Sequence, residues 1–174
     1  MSSNMILRID DRLVHGQVIT GWVKSLNLNN IIVANNKLIK DEYKISATKI
    51  AIPTGVDIEF LTIAKTAKAL NENKWEKKQT IILVESPKDA YEILKRAPVF
   101  KTVNVGGLHL RNHRFQLTDN IAIDTEDEKY LLMIHNLGIT LEGRALPTDE
   151  PYNVIEVLSE YMKKNYGINR NSKI

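Results

Sequence analysis

The run TIILV at 80–84 shows no alternation of apolar and polar side chains. A strand with one wet face alternates, so an unbroken run of this kind reads as a strand covered by helices on both faces of a parallel sheet. Short apolar runs recur at 5–9, 30–34, 56–61, 101–105 and 139–144, each a further strand candidate. Segments of helical periodicity separate them, at 17–28, 40–52, 63–75, 87–97, 126–137 and 151–164. In the first of these, Val18, Ile19, Trp22, Val23 and Leu26 fall on one helical face. Pro87 suits the first turn of its helix, and Gly138 is expected as a C-cap.

Strands spaced by helices predict an α/β fold, a three-layer sandwich around a mostly parallel central sheet. Residues 108–123 break the alternation. Within them, 115–123 reads as a short hairpin or irregular strand pair, and the region is expected to supply an antiparallel edge. A chain of 174 residues suits one domain, expected over 1–165, with a polar, frayed tail at 166–174.

Composition narrows the function classes. The formal charge is only +3, and no basic block with interleaved aromatics appears, which argues against a nucleic-acid partner. There is no cysteine, so disulfides, thiolate metal sites and cysteine nucleophiles are excluded, in keeping with a reducing cytoplasm. The start MSSNMILRIDD lacks the pattern of a signal peptide. No run approaches the roughly 18 apolar residues of a membrane span, so any work at a membrane would go through a partner.

The chemistry concentrates at one junction. The stretch ILRIDDRLVHGQVITGW, residues 6–22, sets two aspartates, two arginines and a histidine where the first strand gives way to a helical pattern. In open parallel sheets ligands bind outside the carboxyl ends of the strands, and 10–16 is such a loop. Free N–H groups at a helix start favour phosphate, Gly16 allows close backbone approach, and Arg12 offers a planar donor. Neutral His15 has one unprotonated nitrogen for attack on phosphorus, and a carboxylate, Asp10 or Asp11, could hold the other N–H. By spacing alone the same residues also fit an N-cap and a solvated histidine.

The other histidines carry less. His109 and His113 follow the double glycine in VGGLHLRNHRF, and His135 lies on a helix. A metal pair from His109 and His113 would need a helical frame and a nearby carboxylate in sequence, and the loop offers neither. No metal site is therefore expected.

RIDDRLVHGQV resembles the signature of the enzyme IIB component of the mannose, fructose and sorbose family of the bacterial sugar phosphotransferase system. IIVANN, NVGGLHLR and GITLEGRALPTDEP are similar to the family's second strand, its glycine-rich turn and its closing strand and loop. The resemblance covers nearly the full chain. It implies that His15 takes a phosphoryl group from a phosphohistidine of the IIA component and passes it to a sugar arriving through membrane components IIC and IID. It implies that Arg12 steadies the phosphoryl oxygens and that Asp10 belongs to the same loop. Asp11, Gly16 and Gln17 complete the expected phosphate-binding or orienting set.

Further expectations follow from that reading. No cofactor is needed. The chain is expected to be a free-standing IIB, with IIA on another polypeptide, cytoplasmic and peripheral to the membrane through IIC and IID. Two partners must reach one imidazole in turn, so Leu13, Leu108 and Arg111 are candidate docking contacts. Self-association and the identity of the sugar stay open.

Two rivals belong to other classes. A response-regulator receiver also has paired aspartates after strand one, but it needs an aspartate ending strand three and a lysine after strand five. Here those places read IEFLTIAK and NVGG. A regulatory or sugar-phosphate-sensing module of the same fold, without transfer activity, is the second. The phosphate-loop motifs of nucleotide enzymes are absent.

Overall fold

The computed structural model describes residues 5–111 and 113–167. At its centre lies the unbroken apolar run, strand Thr80–Val84 (β4), with all five residues buried. It is flanked in parallel by Met5–Asp10 (β1) and Asn30–Ala34 (β2). Outside these run Asp57–Leu61 (β3), Thr102–Gly107 (β5) and Thr140–Gly143 (β8), with Tyr152–Asn153 (β9) at the edge. The order across the sheet is β3-β2-β4-β1-β5-β8-β9, and only β9 is antiparallel.

Side chains alternate between two cores, as strand geometry requires. Leu7, Ile9, Ile32, Ala34, Ile82 and Val84 face one cluster. It is closed by helices Ile63–Asn71 (α2), Pro87–Arg96 (α3), Thr125–Asn136 (α4) and Val154–Tyr166 (α5). Ile31, Val33, Ile81 and Leu83 face the other cluster, where Val18, Trp22, Val23 and Leu28 cover them. The sheet is thus sandwiched as expected, but unequally.

The second face departs from the sequence reading in two places. The expected helix at 17–28 is a π-helix over Val18–Lys24, and Leu26 beyond it is 40% exposed. An i→i+5 winding shifts the phase of each turn, so the 3.6-residue face does not extend to 26. The expected helix at 40–52 is divided by Asp41, whose side chain accepts from Lys44 N and caps Glu42–Ile50 (α1). A 3-10 turn, Leu38–Lys40, precedes it. No residue of α1 is buried.

The interruption at 108–123 is also resolved differently. Phe115–Thr118 (β6) and Ile121–Ile123 (β7) form the expected hairpin, but as a sheet of their own. The antiparallel edge of the main sheet is β9 instead. Leu108, bridged to Ile121, joins the hairpin to the end of β5. α4 ends at Asn136 with Gly138 at φ 78°, and α5 runs on to Tyr166, with Gly167 at φ 63°. Of the tail expected to fray, 168–174 lies outside the described residues. No helix among the described residues is long and apolar enough to cross a membrane.

Candidate functional site

β1 sits between β4 and β5, and the segment leaving β1 crosses to the opposite face from the helices that follow those neighbours. Diverging connections open crevices at the carboxyl ends of strands. Two are present. One, of about 510 Å³, lies towards β4 and is lined by Val14, Asn35, Lys37 and Glu85. The other, of about 260 Å³, lies towards β5 and is lined by Gln17, Gly107, His109 and Asn120. Arg12 lines both.

The loop between them turns sharply. Leu13 N–H donates to Asp10 O at 2.9 Å, and Leu13 itself adopts φ 57°, a region bulky residues rarely enter. This reversal carries the chain back over the end of β1. His15 Nε2 then meets Asp10 Oδ2 at 2.9 Å. Asp10 is fully buried, and the side chain of His15 keeps 14% exposure. Burial by itself would push the Asp10 carboxyl up, but the hydrogen bond from His15 and the charge of Arg8 outweigh it and hold the group below its ordinary value. Asp10 is therefore ionised near neutral pH and can only accept, so His15 Nε2 must carry the proton. Nδ1 has no hydrogen-bond partner among the described residues.

Arg8 is the residue that sequence reasoning missed. It sits fully buried on β1, two residues before Asp10 and so on the same face of the strand. Its Nη2 reaches Asp10 Oδ2 at 2.9 Å and its Nη1 reaches Asn104 Oδ1 at 2.6 Å. Its guanidinium lies 4.8 Å from the centroid of Trp22, whose Nε1 donates to Ala145 O. Gly106 is also explained by it. A Cβ at Gly106 would fall 1.8 Å from Arg8 Cζ. The sequence signal was the i, i+2 pair of charges inside an otherwise apolar strand.

Asp11 does something else. It turns away from His15 and gathers the 107–114 loop: His109 N–H and Arg114 Nη1 each reach Oδ2 at 3.0 Å, Arg111 Nη2 does so at 3.1 Å, and His109 Nδ1 lies 2.6 Å from Oδ1. Burial raises its pKa, and the bonds from His109 with the charge of Arg111 more than reverse this, leaving it low. Arg114 continues to Asp127 at 3.1 Å on α4. Of the two carboxylates open to the role, Asp10 holds the imidazole and Asp11 braces the neighbouring loop.

The remaining expected residues divide. Arg12 is exposed, and its side chain has no hydrogen bond or ion pair among the described residues, while its N–H donates to Asp10 Oδ1 at 3.2 Å. The helical segment opens at Gly16, and Ile19 N–H already bonds His15 O at 3.1 Å. The N–H groups of 16–18 are those a first turn leaves without an intrahelical partner. A Cβ at Gly16 would meet nothing within 4 Å, so packing does not demand glycine there. Gln17 is half-buried beside Arg12 in the smaller crevice.

The docking expectation for two residues is corrected. Leu108 is fully buried and Leu13 is packed into the second core, so neither offers a surface to a partner. The residues beside the site that do are Arg111, about half exposed, and Leu110, 63% exposed.

Comparison with known proteins gives the family. The family model for the PTS system sorbose subfamily IIB component matches residues 4–168. The fructose-specific EIIB component of Bacillus subtilis is 31% identical over 163 residues, covering 94% of this chain and all of that protein. The sorbose-specific EIIB component of Lacticaseibacillus casei is 26% identical over 159 residues, covering 91% of this chain and 97% of that one. The crystal structure of the IIB domain of the sorbose permease from Klebsiella pneumoniae superposes with a TM-score of 0.82 at 28% identity, covering 90% of this chain and 96% of that one. The chain belongs to the sorbose subfamily of IIB components, the phosphotransferases of a sugar phosphotransferase system.

Proposed function

We propose that His15 is the phosphoryl carrier of this chain and that Nδ1 is the atom that carries the group. The observation that supports this above others is the 2.9 Å contact between His15 Nε2 and the buried Asp10 Oδ2. It engages one ring nitrogen and leaves Nδ1 without a hydrogen-bond partner among the described residues.

The donor is a phosphohistidine of a IIA component. The P–N bond on the donor breaks as a P–N bond forms at His15 Nδ1, and the donor imidazole recovers its lone pair. The proton on His15 Nε2 stays, so the ring becomes cationic, and Asp10 stabilises it. Arg12 and the N–H groups of 16–18 face the phosphoryl oxygens. In the second step a sugar hydroxyl, held by membrane components IIC and IID, attacks phosphorus. The P–N bond breaks with its electrons returning to Nδ1, and the hydroxyl proton leaves to water. The acceptor is a hexose, in line with relatives named for fructose and sorbose. Work at the cytoplasmic face, peripheral to the membrane components, follows from that acceptor.

Such transfer needs positioning and charge stabilisation, which the protein donors supply, and the reading calls for no cofactor. Incubation with phosphorylated IIA tests it. The wild-type chain should acquire an acid-labile label with or without EDTA, and His15→Ala should acquire none. A fully labelled His15→Ala would overturn the assignment.

A further inference from the structure

Arg8 is a fully buried charge in the middle of β1, where an apolar residue would serve the fold at lower cost. Considerable structure is arranged around it. Asn104 and the carbonyl of Arg144 accept from Nη1, Trp22 packs on the guanidinium, and Gly106 gives up its Cβ position to it. Its Nε has no hydrogen-bond partner among the described residues, so the side chain is not placed to maximise its own hydrogen bonding. What it does reach is one particular atom. Arg8 Nη2 and His15 Nε2 both lie 2.9 Å from the same oxygen, Asp10 Oδ2, while Oδ1 takes the N–H of Arg12.

Sharing one oxygen makes the two donors competitors. We infer that Arg8 is a positioning residue that weakens the hold of Asp10 on His15, so that Asp10 orients the ring while the phosphorylated ring stays able to discharge. The inference rests on the assignment of His15 as carrier.

The physical case has two halves. A buried carboxylate given wholly to an imidazole would favour the protonated ring, which has no lone pair to attack phosphorus. Once phosphorylated, the ring is cationic, and an undivided carboxylate would stabilise it so far that the group would be slow to leave. A fixed guanidinium on the same oxygen lowers both effects together. It also keeps Asp10 ionised, so the orienting hydrogen bond is retained.

The other groups around this centre leave Arg8 as the one that sets it. Arg12 shares the loop but its side chain makes no hydrogen bond or ion pair among the described residues, and Asp11 is occupied by His109, Arg111 and Arg114. Just after β8, Arg144 is paired with Glu142 at 2.6 Å. Asn104 from β5 and Trp22 from the π-helix are neutral.

The equilibrium share of phosphoryl between IIA and this chain, read in the full chain, tests the inference. Arg8→Met removes the competitor and should move the share towards this chain by up to about tenfold. Asn104→Ala keeps Arg8 but removes the oxygen that holds Nη1, so the guanidinium is given more fully to Asp10 and the share should move towards IIA. Arg8→Lys, which keeps the charge, should stay within about twofold of wild type. An arginine serving only the fold would move the share in neither variant, or in both the same way. A share that is unmoved or moves towards this chain in Asn104→Ala would overturn the inference, whether or not Arg8→Met folds. Absence of any label on wild-type His15 would instead overturn the carrier assignment.

Discussion

Asp11 Oδ1 lies 2.6 Å from Nδ1 of His109, across 98 residues of sequence, although its chain neighbour Asp10 faces the opposite way to hold His15. Adjacent carboxylates on a strand end point to different sides, and here each side has its own task. Asp10 holds the imidazole that we propose as carrier, and Asp11 braces the neighbouring loop.

Asp11→Asn should therefore act through the loop. The exposed partners His109 and Arg111 can return to water, whereas Arg114, only 10% exposed, loses one of its two carboxylate partners and keeps Asp127 and the His109 carbonyl. A loss of about 2 kcal/mol in chemical denaturation is expected. The pH dependence has a definite sign. The carboxyl is held below its ordinary value in the folded chain, so its contribution is present above about pH 4 and fades as pH falls through the folded-state value. The variant should show a shallower loss of stability in acid than wild type, read from denaturation midpoints between about pH 5 and pH 2.

Gly106→Ala should be much more damaging than its one methyl suggests. The new carbon would occupy the place of the Arg8 guanidinium, which is held by Asn104, Trp22 and Asp10. A loss of about 3 kcal/mol is expected from overpacking with a broken buried pair. Thermal unfolding checks it, and a melting temperature equal to wild type would show that Arg8 is free to relocate.

Gly16→Ala should behave in the reverse way. Nothing lies within 4 Å of the added carbon, so stability should change by less than about 1 kcal/mol. Labelling by phosphorylated IIA should nonetheless slow by about tenfold or more if, as we propose, phosphoryl oxygens approach the first helical turn. Equal labelling rates would mean that the phosphoryl group does not use this N-terminus.

The exposed guanidinium of Arg12, between two crevices and without a partner of its own among the described residues, is free to meet an anion. Arg12→Ala should slow transfer through His15 by about tenfold or more while leaving the melting temperature nearly unchanged. Arg12→Lys should restore only part of the rate, since lysine lacks the bidentate fork. Stopped-time labelling of the two variants separates this from a surface charge, which would leave both rates at wild type.

What could be read from residues alone followed from how each element is covered. TIILV is buried on both faces, so its pattern states its bounds without ambiguity, and the observed strand coincides with it. The segment after His15 did not yield its bounds, because π winding changes the period on which an amphipathic reading depends. The helix expected at 40–52 was overextended for a different reason: α1 buries no residue, so no apolar face marks its limits, and the Asp41 cap decides its start. At the site, the motif pointed to Asp10 and His15, and the structure puts them in contact. The division of labour between Asp10 and Asp11 needed the 107–114 loop, which is remote in sequence. Leu108 was expected as a docking contact because it lies beside the site, yet its bridge to the β6–β7 hairpin buries it.

The central claim is that Asp10 reserves Nε2 of His15 and so sends the phosphoryl group to Nδ1. Phosphorylating nitrogen-15-labelled chain with IIA and recording long-range proton–nitrogen correlations, together with phosphorus NMR, identifies the substituted nitrogen directly. The account predicts one phosphohistidine, at His15, substituted on Nδ1 with Nε2 still protonated. Substitution on Nε2, or a phosphoryl group on His109, His113 or His135, would contradict it.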